Sequence, residues 1–257
     1  MLRRLPRRPV LLRASDALAE LGDLDIALYD GTQPIPEDLD DVEFYAVPYG
    51  IIDLRLCEPI ARMPRLNVVQ TVTAGYDHVL PYLRPGLTVA NGRGVHGSIG
   101  TAIERRLAGF EVEVSRVARS ARPGVRAISE ISELLPQPDI VILSIPLTPE
   151  TDGLVNKDFL AKMPDGALLV NVSRGRVVDT EALLAELNAG RLHAALDVAE
   201  PEPLPADHPL WSAPNVLISP HVGGLTAALA PRARRFLVDR VRRYQAGEPL
   251  TNVVIGP

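Results

Sequence analysis

Residues 167–179 read ALLVNVSRGRVVD, an apolar run that stops abruptly at Ser173, Arg174 and Gly175. A short apolar run bounded by glycines, Gly166 before and Gly175 after, reads as a strand buried on both faces, as parallel sheets require. In open α/β sheets a ligand sits beyond the carboxyl ends of such strands, so Arg174 stands where a ligand would be met. Its planar fork of donors matches a carboxylate. An exposed arginine that only opens a loop is the plainer reading of the same position.

On the C-terminal side of this strand, residues 180–189 read as a helix with Asp179 or Thr180 as N-cap and Gly190 as its stop. AALDV (194–198) is another short buried strand, ending at Asp197. It runs into AEPEPLPADHPLW, too rich in proline for a helix or an interior strand. NVLISPHVGG (215–224) is a further strand ending at Ser219, Pro220 and His221, with Gly223 and Gly224 behind it. Residues 231–245 read as a basic amphipathic helix whose apolar side is Phe236, Leu237, Val241 and Tyr244. On the N-terminal side come helix-like SEISELL, the strand DIVILSIP and the helix NKDFLAKM.

From Val10 the chain alternates VLLR, SDALAELG, DIALYD, the proline-rich TQPIPEDLDD and VEFYAV, with Ser15 as an N-cap and Gly22 as a helix stop. LNVVQT and LTVAN continue the pattern, giving about five strands before residue 92 and a first, separate α/β unit. In TAGYDHV, Ala74 and Gly75 follow directly on a strand. A small residue and a glycine let backbone N–H groups approach an anion closely, although an ordinary strand-to-helix turn reads the same way. His78 is then a residue of the first helical turn.

GRGVHGSIGTAIERRLAGF (92–110) carries Gly94, Gly97 and Gly100, then a helix with Ile103, Leu107 and Phe110 on one face. Its GSIGTAI looks like the second half of a dinucleotide fingerprint, but the spacing is G-x-x-G-x-x-G and no strand precedes it. VEVSRV reads as the next strand. An acidic residue at its end would hold the ribose 2′-hydroxyl of NAD; Arg119, Ser120 and Arg122 stand there instead. They point to a 2′-phosphate and hence NADP, with NAD as the alternative, or else are solvated surface arginines.

The chain has 257 residues, of which 46% are hydrophobic and 23% charged, enough for one large or two modest globular domains. A net charge of −5 gives no reason to expect nucleic acid or an anionic membrane as partner. Cys57 is the one cysteine, which excludes an internal disulfide, makes a cysteine-based metal site improbable and fits a reducing cytoplasm. No apolar run approaches the roughly 20 residues of a membrane span. The opening MLRRLPRRPV lacks the apolar core of a signal peptide and reads as a frayed start before the first strand, with an amphipathic transit peptide as the alternative.

Three carboxyl-edge loops thus carry Arg174, Glu202 and His221, spaced as in successive αβ units. Chemically this is a set for reducing a carbonyl beside a carboxylate. A histidine near a carboxylate can give up a proton at neutral pH as hydride reaches carbon. The acid would hold the ring, and the arginine would anchor the substrate carboxylate and polarise the carbonyl.

The segments SIPLTPETDGLVN, ALLVNVSRGRVVDTEALLAEL, AALDVAEPEPLPADHPLW and NVLISPHVGG resemble, in order and spacing, the D-isomer-specific 2-hydroxyacid dehydrogenases. The resemblance extends to VVQTVTAGYDHV and the C-terminal AGEPLTNVV. It implies two Rossmann-like domains: a flavodoxin-like substrate domain over residues 1–93, an NAD(P)-binding domain over 94–225, and a C-terminal helix (226–257) returning to the first. It makes Arg174, Glu202 and His221 catalytic and Ala74 and Gly75 the substrate-carboxylate loop. Ser98, Ile99, Ile145, Pro146, Val172, Asp197 and Gly223 then line the dinucleotide, with Arg119 beside its ribose, and no metal is needed. The implied reaction is hydride transfer from NAD(P)H to a small 2-oxo acid, in a homodimer if the long helix and first strand of the cofactor domain are present. A dinucleotide-sensing binding protein, or an inactive deletion form of the fold, is the alternative. In one respect the chain departs from the family: the long helix and first strand of the cofactor domain, on the order of 40 to 60 residues, are absent between His96 and Ser98.

Overall fold

Apolar runs become strands here wherever a neighbouring strand completes the ladder. In the computed structural model, which describes residues 10–11, 20–21, 26–29, 34–47, 56–95, 99–225 and 229–256, the chain divides into two units. One is Met1–Gly97 with Leu225–Pro257 and the other Ser98–Gly224. Ser15, Gly22, His96, Gly97 and Ser98 lie outside the described residues.

Among the described residues of the first unit five strands precede residue 92: β1 (Val10–Leu11), β2 (Ala27–Leu28), β3 (Phe44–Val47), β4 (Val68–Thr71) and β5 (Thr88–Ala90), all paired in parallel. β3 and β4 are buried at every position, because both faces of a parallel sheet are covered. Tyr45, Val47, Val69 and Val89 pack with Leu39 and Ile60 in one core cluster. Burial pushes the Cys57 thiol in the same cluster up to about 12.

The second unit runs α1 (Ile99–Leu107), β6 (Val117–Ala118), β7 (Arg126–Ala127), α2 (Ile131–Leu134), β8 (Ile140–Leu143), α3 (Lys157–Ala161), β9 (Leu168–Asn171), α4 (Thr180–Asn188), β10 (His193–Leu196) and β11 (Val216–Ile218). Side-chain caps set the starts of two of its helices. Asn156 accepts from Phe159 N at 3.0 Å before α3, and Asp179 accepts from Ala182 N at 3.0 Å before α4. α4 stops at Gly190, whose φ of +68° suits glycine. β8 to β11 form a parallel sheet in the order β11-β10-β9-β8. Leu143, Leu169 and Leu196 face a core completed by Phe159, Leu160, Leu183 and Leu187.

The chain then returns to the first unit as α5 (Leu229–Ala246) and β12 (Val253–Ile255). Leu237, Val238 and Val241 of α5 pack with Phe44, Ala46 and Val68, and β12 pairs antiparallel with β5 to give the order β12-β5-β4-β3-β1-β2. No described helix is long and apolar enough to cross a membrane.

Three expectations need correction. VEVSRV is not a six-residue strand: only Val117 and Ala118 pair, with β7, and Val112 and Val114 are exposed. Phe110 does not extend the apolar face of α1, which ends at Leu107; its side chain is 67% exposed. The proline-rich stretch does hold a three-residue 3-10 turn, Pro209–Trp211. A proline fits its first position because no N–H is needed there, and the His208 ring accepts from Leu210 N at 3.2 Å.

The first two corrections share a cause. Among the described residues no strand pairs with β8 on the side away from β9, or with β6 on the side away from β7. That is where the order 3-2-1-4-5-6 puts strand one. Ile140 and Ile142, on one face of β8, are 52% and 37% exposed. An alternating apolar segment with no ladder beside it has nowhere to place its backbone hydrogen bonds and does not settle as a strand.

Candidate active site

Asn171 closes β9 and is 1% exposed. Its Oδ1 accepts from Ser173 N at 3.0 Å and from Ser173 Oγ at 2.6 Å, while its Nδ2 donates to Arg174 O at 3.0 Å. One buried side chain thereby folds the loop that presents Arg174, whose Nη1 donates to Ser173 O at 2.9 Å. Next in the chain, Gly175 lies against the segment after β10: a Cβ there would stand 1.9 Å from Ala199 O and 2.7 Å from Glu200 N. Thr180 Oγ1 donates to Glu200 O at 2.9 Å. The arginine loop and the segment leading to Glu202 are therefore packed main chain against main chain at Gly175 and tied by the Thr180 side chain.

Asp197, at the end of β10, organises the histidine loop. Its Oδ1 accepts from Ser219 Oγ at 2.6 Å and Val222 N at 2.9 Å, and its Oδ2 accepts from Gly223 N at 2.9 Å. His221 N donates to Asp197 O at 2.8 Å. The loop holds His221 at φ +53°, in the left-handed region. The result is a contact of 2.6 Å between His221 Nδ1 and Glu202 Oε1, with both side chains about a quarter to a third exposed. A carboxylate only accepts, so we assign the proton to Nδ1, which leaves Nε2 as the other ring nitrogen for proton exchange. A ring with a negative partner at Nδ1 can exchange a proton at Nε2.

The other predicted residues divide between the two units. In the second, Ile145 and Pro146 follow β8, Val172 follows β9, and Asp197 and Gly223 belong to the loops after β10 and β11, so all five lie at one carboxyl edge. Thr151 Oγ1 pins this edge by donating to Pro146 O at 2.7 Å. Ile99 opens α1, and Ser98 is outside the described residues. Arg119 follows β6, is exposed, and meets Glu150 Oε1 at 3.8 Å.

In the first unit Ala74 and Gly75 form a loop between β4 and the 3-10 helix Asp77–Tyr82, which includes His78. The loop carbonyls are engaged from within. Thr73 O accepts from Gly92 N at 2.7 Å and Thr71 Oγ1 at 2.9 Å, Ala74 O from Asn91 Nδ2 at 2.7 Å, and Gly75 O from Thr73 Oγ1 at 2.6 Å. Among the described residues the N–H groups of Ala74 and Gly75 make no hydrogen bond. With its carbonyls turned in, such a turn has amides with which an anion could be held.

Sequence reasoning passed over Asn171 and Asn91, and read Gly175 only as the bound of a strand. Their signal was present: a polar residue ending an otherwise apolar strand, and a glycine just after the arginine.

Residues 94–223 match the profile of the D-isomer specific 2-hydroxyacid dehydrogenase, NAD binding domain. The chain belongs to this family. It is 43% identical over 161 residues to the glyoxylate reductase/hydroxypyruvate reductase of Homo sapiens, a match covering 60% of this chain and 49% of that one. The chain spans about half the length of the curated relatives it matches. A family protein of known structure from Klebsiella pneumoniae 342 superposes with a TM-score of 0.75 at 26% identity, covering 97% of both chains. A dehydrogenase of the same family from Xanthobacter autotrophicus Py2, solved in complex with NADPH and MES, gives 0.67 at 25% identity, covering 96% of this chain and 98% of that one. The two Rossmann-like α/β units are those of this family fold.

Proposed function

We propose that this dehydrogenase-family chain reduces a small 2-oxo acid of the glyoxylate or hydroxypyruvate class to a D-2-hydroxy acid with a reduced nicotinamide dinucleotide. The observation that carries this is the contact of 2.6 Å between His221 Nδ1 and Glu202 Oε1, with Arg174 on the loop after the sheet's next strand but one. The protonated His221 ring gives its Nε2 proton to the carbonyl oxygen, and Glu202 stabilises the ring while it is charged. Arg174 binds the substrate carboxylate through its guanidinium fork. In the first unit the N–H groups of Ala74 and Gly75 are donors suited to a carboxylate.

The strand ends of the second unit fit a dinucleotide, since Ile145, Pro146, Val172 and Gly223 offer apolar surface and bare main chain at one carboxyl edge. With Ile99 and Asp197 they would hold it. When bound, that cofactor supplies the hydride. The human relative is named for glyoxylate and hydroxypyruvate, which supports the substrate class. The test is loss of absorbance of the reduced cofactor with a panel of 2-oxo acids; no turnover of any member sinks the reading. Dinucleotide binding without turnover would favour a sensor, against which the intact histidine–carboxylate pair argues.

NADPH is the preferred cofactor in this reading, because Arg119 follows the strand that meets the ribose and no acidic residue stands there. Among the described residues Arg119 has one ionic partner, Glu150, which is exposed and distant enough to be exchanged for a phosphate. NADPH should bind more tightly than NADH, and Arg119→Ala should narrow the gap by about 1–3 kcal/mol, the worth of a charge-assisted contact. Titrations of cofactor fluorescence read both affinities, and equal values in the parent protein remove the idea.

A further inference from the structure

The C-terminal LTNVV has no part in the chemistry above, yet its backbone meets Asn91, whose side chain holds the Ala74–Gly75 loop. Asn252 precedes β12 and takes φ +60°. From there its main-chain O accepts from Asn91 N at 3.0 Å, and its Nδ2 donates to Arg93 O at 2.9 Å. Asn91, 7% exposed, accepts from Arg93 N at 3.3 Å through Oδ1 and donates from Nδ2 to Ala74 O at 2.7 Å. Gly92 meets the same loop from behind: a Cβ there would stand 2.2 Å from Val72 O.

We propose that Asn91 and Asn252 are positioning residues, a two-asparagine relay through which the C-terminal strand sets the Ala74–Gly75 loop for the substrate carboxylate. The inference rests on the reading of that loop as a carboxylate site. By taking the Ala74 carbonyl inward, Asn91 turns the following N–H outward. Asn252 in turn fixes the backbone on both sides of Asn91. The left-handed conformation at Asn252 is one that asparagine tolerates better than most residues.

Two conservative variants test it. Asn91→Asp keeps the acceptor for Arg93 N and removes the donor to Ala74 O. Asn252→Gly keeps the left-handed backbone without strain and removes only the Nδ2 contact. In Asn91→Asp the KM for the 2-oxo acid should rise about tenfold, with kcat and dinucleotide Kd within about twofold, as expected when a ground-state contact is lost. Asn252→Gly should give a smaller rise in the same direction, and the double variant should fall short of the product of the two, because members of one network do not act additively. Independently of turnover, exchange of the Gly92 amide hydrogen, which is bonded to Thr73 O, should quicken in Asn91→Asp. A folded Asn91→Asp protein with unchanged KM, or fully multiplicative effects, overturns the relay. Should the parent protein reduce no 2-oxo acid, the functional reading fails by itself, and unchanged Gly92 exchange then overturns the bracing on its own.

Discussion

His221→Asn lowers kcat for 2-oxo acid reduction by about 10²- to 10⁴-fold, the usual contribution of a positioned acid–base group, while dinucleotide affinity stays close to that of the parent. Asparagine is the informative replacement because residue 221 sits at φ +53°, where asparagine is at ease and alanine carries strain. The variant keeps a hydrogen-bonding side chain beside Glu202 but has no proton to give at the position of Nε2. Glu202→Gln should act through the same pair, keeping the contact and losing the charge that favours the imidazolium. Steady-state rates with the reduced cofactor, beside a binding titration, separate chemistry from binding. A His221→Asn enzyme turning over at the parental rate would falsify the assignment.

Gly175→Ala is the second change with a large effect, and it acts on stability and site at once. The added Cβ would lie 1.9 Å from Ala199 O and 2.2 Å from Ala199 C, and both are main-chain atoms that no rotamer change can move aside. The two segments must part, at about 1–3 kcal/mol or more as for other overpacked sites. At about 2–4 °C per kcal/mol for a chain of this size, the Tm should fall by several degrees. Since the contact ties the Arg174 loop to the segment leading to Glu202, kcat/KM should drop as well. A melt and a rate measurement at a temperature where the variant is folded distinguish the two effects; parental values of both would mean that the main chain yields freely here.

Much of this site is legible along the chain, because its signals are local. An apolar run that ends at a charged or imidazole side chain marks a strand and its carboxyl edge together, which is how Arg174, Asp197 and His221 stand out. The caps Asn156 and Asp179 and the stop Gly190 are local too, each acting within one helical turn. The same kind of reading fails at VEVSRV, whose alternation is as good as that of a true strand. What it lacks is a neighbour, and a ladder is a property of two segments.

The amino-acid order thus settles where strands end and which side chains stand at those ends, since main-chain conformation follows from nearby sterics and from the alternation of apolar and polar residues. It is silent on which ends meet. The approach of Glu202 to His221, of Gly175 to Ala199 and of Asn252 to Asn91 depends on strand register and on close packing between distant parts of the chain. Those contacts exist only once burial has brought the segments together, so the pairing of His221 with Glu202 and the inward turn of the Ala74 carbonyl are products of the folded units and of no shorter stretch.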